Sequence, residues 1–559
     1  MGWRSNRNPQ FRTQFAEQIF NQKYAHEGCE TWADLARTLV TQVCSEHMYK
    51  SEVEELIGFV TDMKFIPGGR YLYYAGRPNP FFNNCYLLKA EEDSREDWAN
   101  LSWKSESCLM TGGGIGADYS VYRPAGSLIK RTGGTASGPI PKMLMINEIG
   151  RRVMQGGSRR SAIYASLDHS HPDAKDFLVA KDWHNMPVGN TGLTLWDIKQ
   201  QDFNFPAPLD MTNVSLNYDD KWLDHYRRTG DYGDIFHMNV AQALRTAEPG
   251  FSFNFGEHAG ETLRNACTEV TSRDDSDVCN LGSVNMSRIE TIQEFDHVVE
   301  LGTKFLLCGT LKAQLPYQKI YETREKNRRL GLGLMGVHEW LIQRGSRYEV
   351  TDELRKWLNV YAQTSEYTGL DFAEELEISD PVAFRAIAPT GTIGILAGTT
   401  TGIEPLFAVA YKRRWLKGDK EWNYQYVVDG AAQELIDRYG ADPETIESAI
   451  DLAADFERRI KFQADVQDFV DMAISSTINL PAWGTELNNE GTVAGFAGTL
   501  ARYAHRLRGF TCYPDGARGG QPLTSVPYRE AVENLGKTFA EAAWTDICEV
   551  SGKGGSCGI

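Results

Sequence analysis

No run of apolar residues in this chain approaches the roughly 18 that a membrane-crossing helix requires. The opening segment, MGWRSNRNPQFRTQF, is polar and carries no apolar export core. These two absences give the expectation of a cytoplasmic protein with no membrane partner. Cysteine is sparse: ten in 559 residues, far below the density of a disulfide scaffold, and none in C-x-x-C spacing. That excludes zinc ribbons and fingers, and in a reducing compartment it leaves most cysteines as free thiols. An excess of positive charge is missing too. Lys+Arg number 58 against 75 Asp+Glu, a net charge of −17, which excludes a protein that coats nucleic acid while leaving room for a local basic pocket. Internal repeats and low-complexity blocks are also lacking.

What is present is ordinary globular composition, with 42% hydrophobic and 24% charged residues. At about 150 residues per domain the length allows three or four domains, or one large barrel with additions. Residues 1–65 carry apolar positions at three-to-four spacing and read as helical. From about residue 140 to 410, helical stretches alternate with short strand-like runs such as GLTLW and GFSFNF, the pattern of an α/β barrel or layered sheet. Residues 516–559 are glycine-rich and are expected to form a flexible tail.

Two motifs invite a functional reading that their context opposes. Gly331–Gly336 fits G-x-G-x-x-G, but the charged ETREKNRRL before it is no buried strand, so close backbone packing is expected instead of a dinucleotide site. His169-x-His171-x-Asp173 has ligand-like spacing, but the adjacent Pro172 favours a turn; no metal site is expected. A third segment is harder to dismiss. Asn265-Ala-Cys267-Thr-Glu269 places an amide, a thiol and a carboxylate at alternate positions, which share a face in an extended chain. A lone cysteine is usually a small buried hydrophobe, yet an amide and a carboxylate beside it are an improbable core composition.

NACTE, with CNLGSVN after it and NNCYLL before it, resembles the large catalytic subunit of ribonucleotide reductases. GGGIGADYSVYRPAGSLIK, MQGGSRRSAIYAS, NRRLGLGLMGVHEWL and APTGTIGILAGTTTGIEP follow in the family's order, so the likeness spans nearly the whole chain. The resemblance implies a ten-stranded α/β barrel of two five-stranded halves over residues 66–515, with a central finger loop, preceded by the helical region 1–65. It implies reduction of ribonucleoside di- or triphosphates to 2′-deoxyribonucleotides. Cys267 would carry a thiyl radical, Glu269 would act as general base, and Asn265 would hold the substrate hydroxyls. Cys85 and Cys279 would be the reducing pair. Cys557, two residues from the end, matches the family's shuttle tail, with Cys548 as its partner at wider spacing than the family uses. Pro389, Thr390, Gly391, Thr392, Ile393 and Gly394 match the loop that binds substrate phosphates. Asn213, Ser215 and Asn84 match further substrate contacts.

The resemblance also implies control by a deoxynucleotide effector such as dTTP. Asp93 and Ser94 would meet its ribose, Lys130 and Arg131 its phosphates, and Gln155 and Arg159 would report its identity to the substrate base. Only 84 residues precede Cys85, so no N-terminal activity cone is expected, and the specificity site implies a homodimer. A thioredoxin- or glutaredoxin-like thiol partner would supply electrons. The radical source stays open between adenosylcobalamin and a separate metal-containing small subunit. GFTCYPDGARGG holds one tyrosine, Tyr513, as a radical-transfer candidate where a subunit-fed enzyme has two in a row. Two other readings stand beside this one: a general dithiol oxidoreductase, which the missing C-x-x-C opposes, and an inactive nucleotide-binding homologue, which the intact Asn265, Cys267 and Glu269 oppose.

Overall fold

The computed structural model describes residues 11–83, 85–130, 133–153, 161–202, 204–417, 421–517 and 523–541. Three helices come first: α1 (Gln14–Lys23), α2 (Trp32–Cys44) and α3 (Lys50–Thr61). Thr13 and Thr31 cap the first two by accepting backbone N–H groups at Ala16 and Asp34, and Asp34 reciprocates to complete a capping box on α2. Trp32, Leu35, Leu39 and Val43 fall on one stripe of α2 and are buried. The Trp32 indole N–H donates to the Val60 carbonyl at 3.0 Å and ties α2 to the end of α3.

The remainder is an α/β fold built on one large mixed sheet. Five strands, β1 (Cys85–Lys89), β2 (Gly114–Asp118), β3 (Ile163–Asp168), β4 (Thr212–Tyr218) and β5 (Gly250–Phe253), pair in parallel in that order. A hairpin follows, β6 (Leu263–Arg264) against β7 (Thr271–Ser272), and then β8 (Asp277–Asn285) and β9 (Leu330–Met335), which pair in parallel. Near the C-terminus β10 (Thr477–Leu480) and β11 (Gly509–Pro514) form a second parallel pair. Both pairs meet the five-stranded set antiparallel, β8 against β1 and β11 against β5. The short strand Phe65–Pro67 pairs with β8. The sheet is an open ladder: between β9 and β10 the described residues make two isolated bridges, Leu332 with Arg385 and Ile387 with Ile474.

All nine residues of β8 are buried, so its polar side chains need partners. The Asn280 amide donates to the Tyr71 hydroxyl at 2.7 Å and the Leu306 carbonyl at 2.8 Å. Asp277 accepts from Arg329 Nε at 3.0 Å and from Ser272 at 2.6 Å. Gly331–Gly336 is not a loop: it is β9 and its end. A Cβ on Gly331 would stand 2.4 Å from Leu281, and one on Gly333 would stand 2.7 Å from the Ala386 carbonyl. These glycines let strands approach closely. At the other motif, His171 Nε2 bonds the Tyr122 carbonyl at 2.8 Å and Nδ1 accepts the Asp173 N–H at 3.0 Å, which locks a turn.

Part of the segment after residue 515 carries secondary structure. Leu523–Ser525 and Thr538–Glu541 flank a helix, Tyr528–Glu533, and add to the two edges of the hairpin Ala410–Lys417 and Glu421–Val428. Phe539 stacks on Tyr424 at 5.1 Å, and the Tyr426 hydroxyl donates to Glu530 at 2.9 Å. Cys548 and Cys557 lie outside the described residues. Among the described residues no helix is long and apolar enough to cross a membrane.

Candidate active site

The hairpin β6–β7 carries the Asn265–Val270 loop across the parallel strands. The loop is a tight turn and not an extended segment: the Thr268 N–H donates to the Asn265 carbonyl at 2.9 Å, and Thr268 sits at φ +71°. Alternate side chains therefore do not share a face. Asn265 and Glu269 point inward and are buried, while Cys267 is exposed at the tip. Arg264 anchors the base of the turn. Its buried guanidinium donates to Ser252 Oγ (2.8 Å), Asn254 Oδ1 (3.0 Å) and the Arg508 carbonyl (2.6 Å).

Glycine in β2 allows this approach. A Cβ on Gly116 would lie 1.7 Å from the Arg264 carbonyl oxygen, inside any permitted contact. The run GGGIGAD is thus a strand shaped to admit a second backbone. Gly116→Ala is expected to cost about 3 kcal/mol, the upper end of overpacking because the obstacle is main chain. It should lower turnover in parallel by shifting Cys267. Thermal melting and a turnover assay on the same variant check this, and a variant as stable and active as wild type would contradict it.

Asn265 joins the loop to the sheet. Its amide lies 3.1 Å from Cys85 Sγ, and its Oδ1 accepts the Val270 N–H at 2.9 Å. Cys85 and Cys279 are directly opposite one another in the β1–β8 ladder. Opposed antiparallel residues have Cα atoms about 4.5–5.5 Å apart, within the usual span of a disulfide. Burial pushes both thiols well above their ordinary range, so both are protonated. Glu269 is 1% exposed, and burial, opposed by the hydrogen bond from Asn265, raises its carboxyl to about 7. Its Oε2 is buried with no hydrogen-bond partner among the described residues.

Asn265 and Cys279 do not line the neighbouring cavity of about 310 Å³, which is at the lower end of small-molecule sites. Cys85, Cys267 and Glu269 line it, and so do Pro389, Thr390, Gly391, Thr392 and Ile393. Thr390 stands at φ +49° before the short helix Gly391–Ala397, and its Oγ1 accepts the Gly402 N–H at 2.8 Å. Gly394 is not among the lining residues; a Cβ there would meet Thr401 at 2.8 Å. Asn213 and Ser215 do not line the cavity either. The Asn213 amide instead donates to the Ala266 carbonyl at 3.0 Å and supports the loop from behind, and Ser215 is buried within β4. Asn84 lies outside the described residues. Sequence reading missed Tyr24, Arg70, Gly112 and Ser283 on the cavity wall. The signal for Arg70 was a cation inside the glycine-rich segment PGGRYL.

The effector candidates fall elsewhere. Asp93 accepts from the Arg123 guanidinium, and Ser94 caps the helix Arg95–Met110 by accepting the Asp97 N–H at 3.1 Å. Lys130 is exposed. Arg131, Gln155 and Arg159 lie outside the described residues. Tyr513 is half-buried in β11, opposite Asn479 of β10, and burial raises the neighbouring Cys512 thiol to about 12.

An α/β sheet that presents a looped thiol, a buried carboxyl and one member of a cross-strand thiol pair to one cavity defines a reductase-type site. The family model for the ribonucleotide reductase barrel domain matches residues 83–376 and 382–513. A vitamin B12-dependent ribonucleoside-diphosphate reductase of Mycobacterium tuberculosis is 26% identical, over 89% of this chain and 77% of its own. One from Thermoplasma acidophilum is also 26% identical, over 89% of this chain and 69% of its own. A Mycobacterium phage D29 protein, described as an adenosylcobalamin-dependent ribonucleoside-triphosphate reductase, is 23% identical over 97% of this chain and 98% of its own. In fold, the class Id ribonucleotide reductase alpha subunit of Actinobacillus ureae superposes with TM-score 0.69 at 15% identity, over 90% of this chain and 97% of that one. The chain belongs to the ribonucleotide reductase family, as a large catalytic subunit.

Proposed function

We propose that this chain reduces ribonucleotides to 2′-deoxyribonucleotides by thiyl-radical chemistry centred on Cys267. The observation that carries the reading is the convergence of the exposed Cys267, the buried Glu269 and Cys85 on one cavity, with Cys279 opposite Cys85 in the strand ladder. The thiyl at Cys267 takes the ribose 3′ hydrogen. Glu269 accepts the 3′-hydroxyl proton while the 2′ hydroxyl leaves as water. Cys85 and Cys279 give two electrons and two protons and close a disulfide, so the balance is ribonucleotide plus two thiols to deoxyribonucleotide, disulfide and water. Asn265, bonded to Cys85, keeps thiol and sugar in register, and fixing such a pair at contact distance lowers the barrier through orientation. Thr390, with one hydroxyl proton to donate, and the amides of Gly391–Ile393 hold the substrate phosphates.

The finer architecture belongs to the same proposal. The ten strands close into a barrel through residues 385–387, which bridge Leu332 on one side and Ile474 on the other. Residues 66–515 form this catalytic unit, 1–65 a helical preface, and the cysteine tail 516–559 relays electrons from a thioredoxin- or glutaredoxin-like protein through Cys557 and Cys548. Asp93, Ser94, Lys130, Arg131, Gln155 and Arg159 serve a dNTP effector such as dTTP, across the interface of a homodimer.

For the radical source we favour adenosylcobalamin over a separate small subunit. Three of the relatives are named as dependent on it, and Cys512 stands where a tyrosine pair would require its first member. When bound, the group supplies a carbon radical able to oxidise a thiol. Cys267, exposed at the loop tip, is the thiol this chain offers it. A cavity of about 310 Å³ holds a nucleotide without a corrin ring, so the ring would lie outside it. An anaerobic assay with GDP or GTP, dTTP and a dithiol tests this. Deoxyguanosine nucleotide is expected only with adenosylcobalamin present; equal product without it would overturn the assignment.

A further inference from the structure

We propose that Arg70 anchors the substrate phosphates, a role that rests on the ribonucleotide reading of the cavity. A ribonucleoside di- or triphosphate brings several negative charges. The loop Pro389–Ile393 answers with hydroxyls and backbone dipoles but no formal charge. Glu269, once ionised, adds a negative charge of its own. Among the described residues that line the cavity, Arg70 is the one cation. An anion taken out of bulk water needs opposite charge beside it, and a guanidinium meets phosphate oxygens with paired donors.

The position of Arg70 is built, not incidental. The helix Gly69–Tyr74 that bears it is pinned at its start, where the Gly68 N–H donates to the Leu281 carbonyl of β8 at 2.8 Å. Arg70 is 9% exposed. Its Nε donates to the Phe81 carbonyl at 3.3 Å and its Nη2 to the Thr111 carbonyl, so the plane of the fork is fixed from behind. The Tyr74 ring lies 5.1 Å from the guanidinium carbon. Gly112, itself on the cavity wall at φ +84°, makes the space: a Cβ there would stand 2.4 Å from Nη1. The glycines around β2 thus serve two purposes, Gly112 clearing Arg70 and Gly116 the thiol loop.

The rival role is a strut that joins the carbonyls of residues 81 and 111. Calorimetric titration of the full chain with guanosine, GDP and GTP, dTTP present, separates the two. Arg70→Gln is expected to weaken GDP and GTP at least tenfold while guanosine, which has no phosphate, binds as before. Arg70→Lys should fall between wild type and Arg70→Gln. Gly112→Ala, which displaces the guanidinium without removing it, should show the same selective loss. Equal weakening of guanosine, GDP and GTP in Arg70→Gln and Arg70→Lys alike would identify a strut and overturn the proposal. So would unchanged GDP and GTP binding in Arg70→Gln. A wild-type chain that bound neither GDP nor GTP would instead contradict the ribonucleotide reading itself.

Discussion

Cys267→Ser is expected to abolish ribonucleotide reduction, a loss on the order of 10⁴-fold or more, with nucleotide binding and thermal stability unchanged. The thiol is exposed at the tip of a turn whose shape comes from Arg264, Asn265 and the Thr268–Asn265 hydrogen bond. Serine is nearly isosteric and disturbs none of these. It cannot replace sulfur as a radical carrier, because the O–H bond is much stronger than S–H. The pattern of lost turnover with intact binding separates this chain from an inactive nucleotide-binding homologue, in which the substitution would change nothing. Turnover and effector binding measured on one preparation check it.

Glu269→Gln carries the second large effect, in two opposite directions. In its proposed role as general base against a substrate hydroxyl, the carboxylate would account for about 10²–10⁴-fold in rate, and the glutamine variant should lose that much. Because burial raises the group to about 7, the wild-type rate should climb with pH through that value as the carboxylate forms, and the variant should lack this limb. Stability should move the other way. The folded-state value lies above the ordinary 4.5. The stability the protonated form contributes is therefore whole below pH 4.5 and lost as pH rises through about 7. Glutamine never ionises, so at pH 8 the variant should exceed wild type by on the order of 3 kcal/mol. Rate profiles and melting curves from pH 5 to about 8.5 read both effects. A variant that is slower but also less stable at pH 8 would mean that Glu269 is held ionised by a partner.

Particular residues show how far the sequence alone could carry this account. Asn265, Cys267 and Glu269 are chemically conspicuous in one short run, and the α/β class follows from alternating periodicities. The geometry of the run was not legible. Thr268 at φ +71° is a conformation that threonine disfavours, imposed by the two short strands that flank the loop and by the Arg264 web. The pairing of Cys85 with Cys279, 194 positions apart, is set by strand register. No local pattern encodes register, so the pair came from resemblance and not from the residues. Asn213 was read as a substrate contact, whereas its amide supports Ala266. Two of the GGGIGAD glycines are dictated by atoms distant in sequence, Arg70 Nη1 and the Arg264 carbonyl. Tail segments 523–525 and 538–541 are too short to show strand periodicity and owe their form to the hairpin 410–428.

The most direct test of the central claim is a single turnover of the wild-type chain with its radical source and a ribonucleotide, without external reductant, followed by alkylation of free thiols and peptide mapping. One Cys85–Cys279 disulfide should appear for each deoxyribonucleotide formed, and neither should appear in Cys267→Ser. Deoxyribonucleotide made while Cys85 and Cys279 remain alkylatable, or made by the Cys267→Ser chain, would contradict the account.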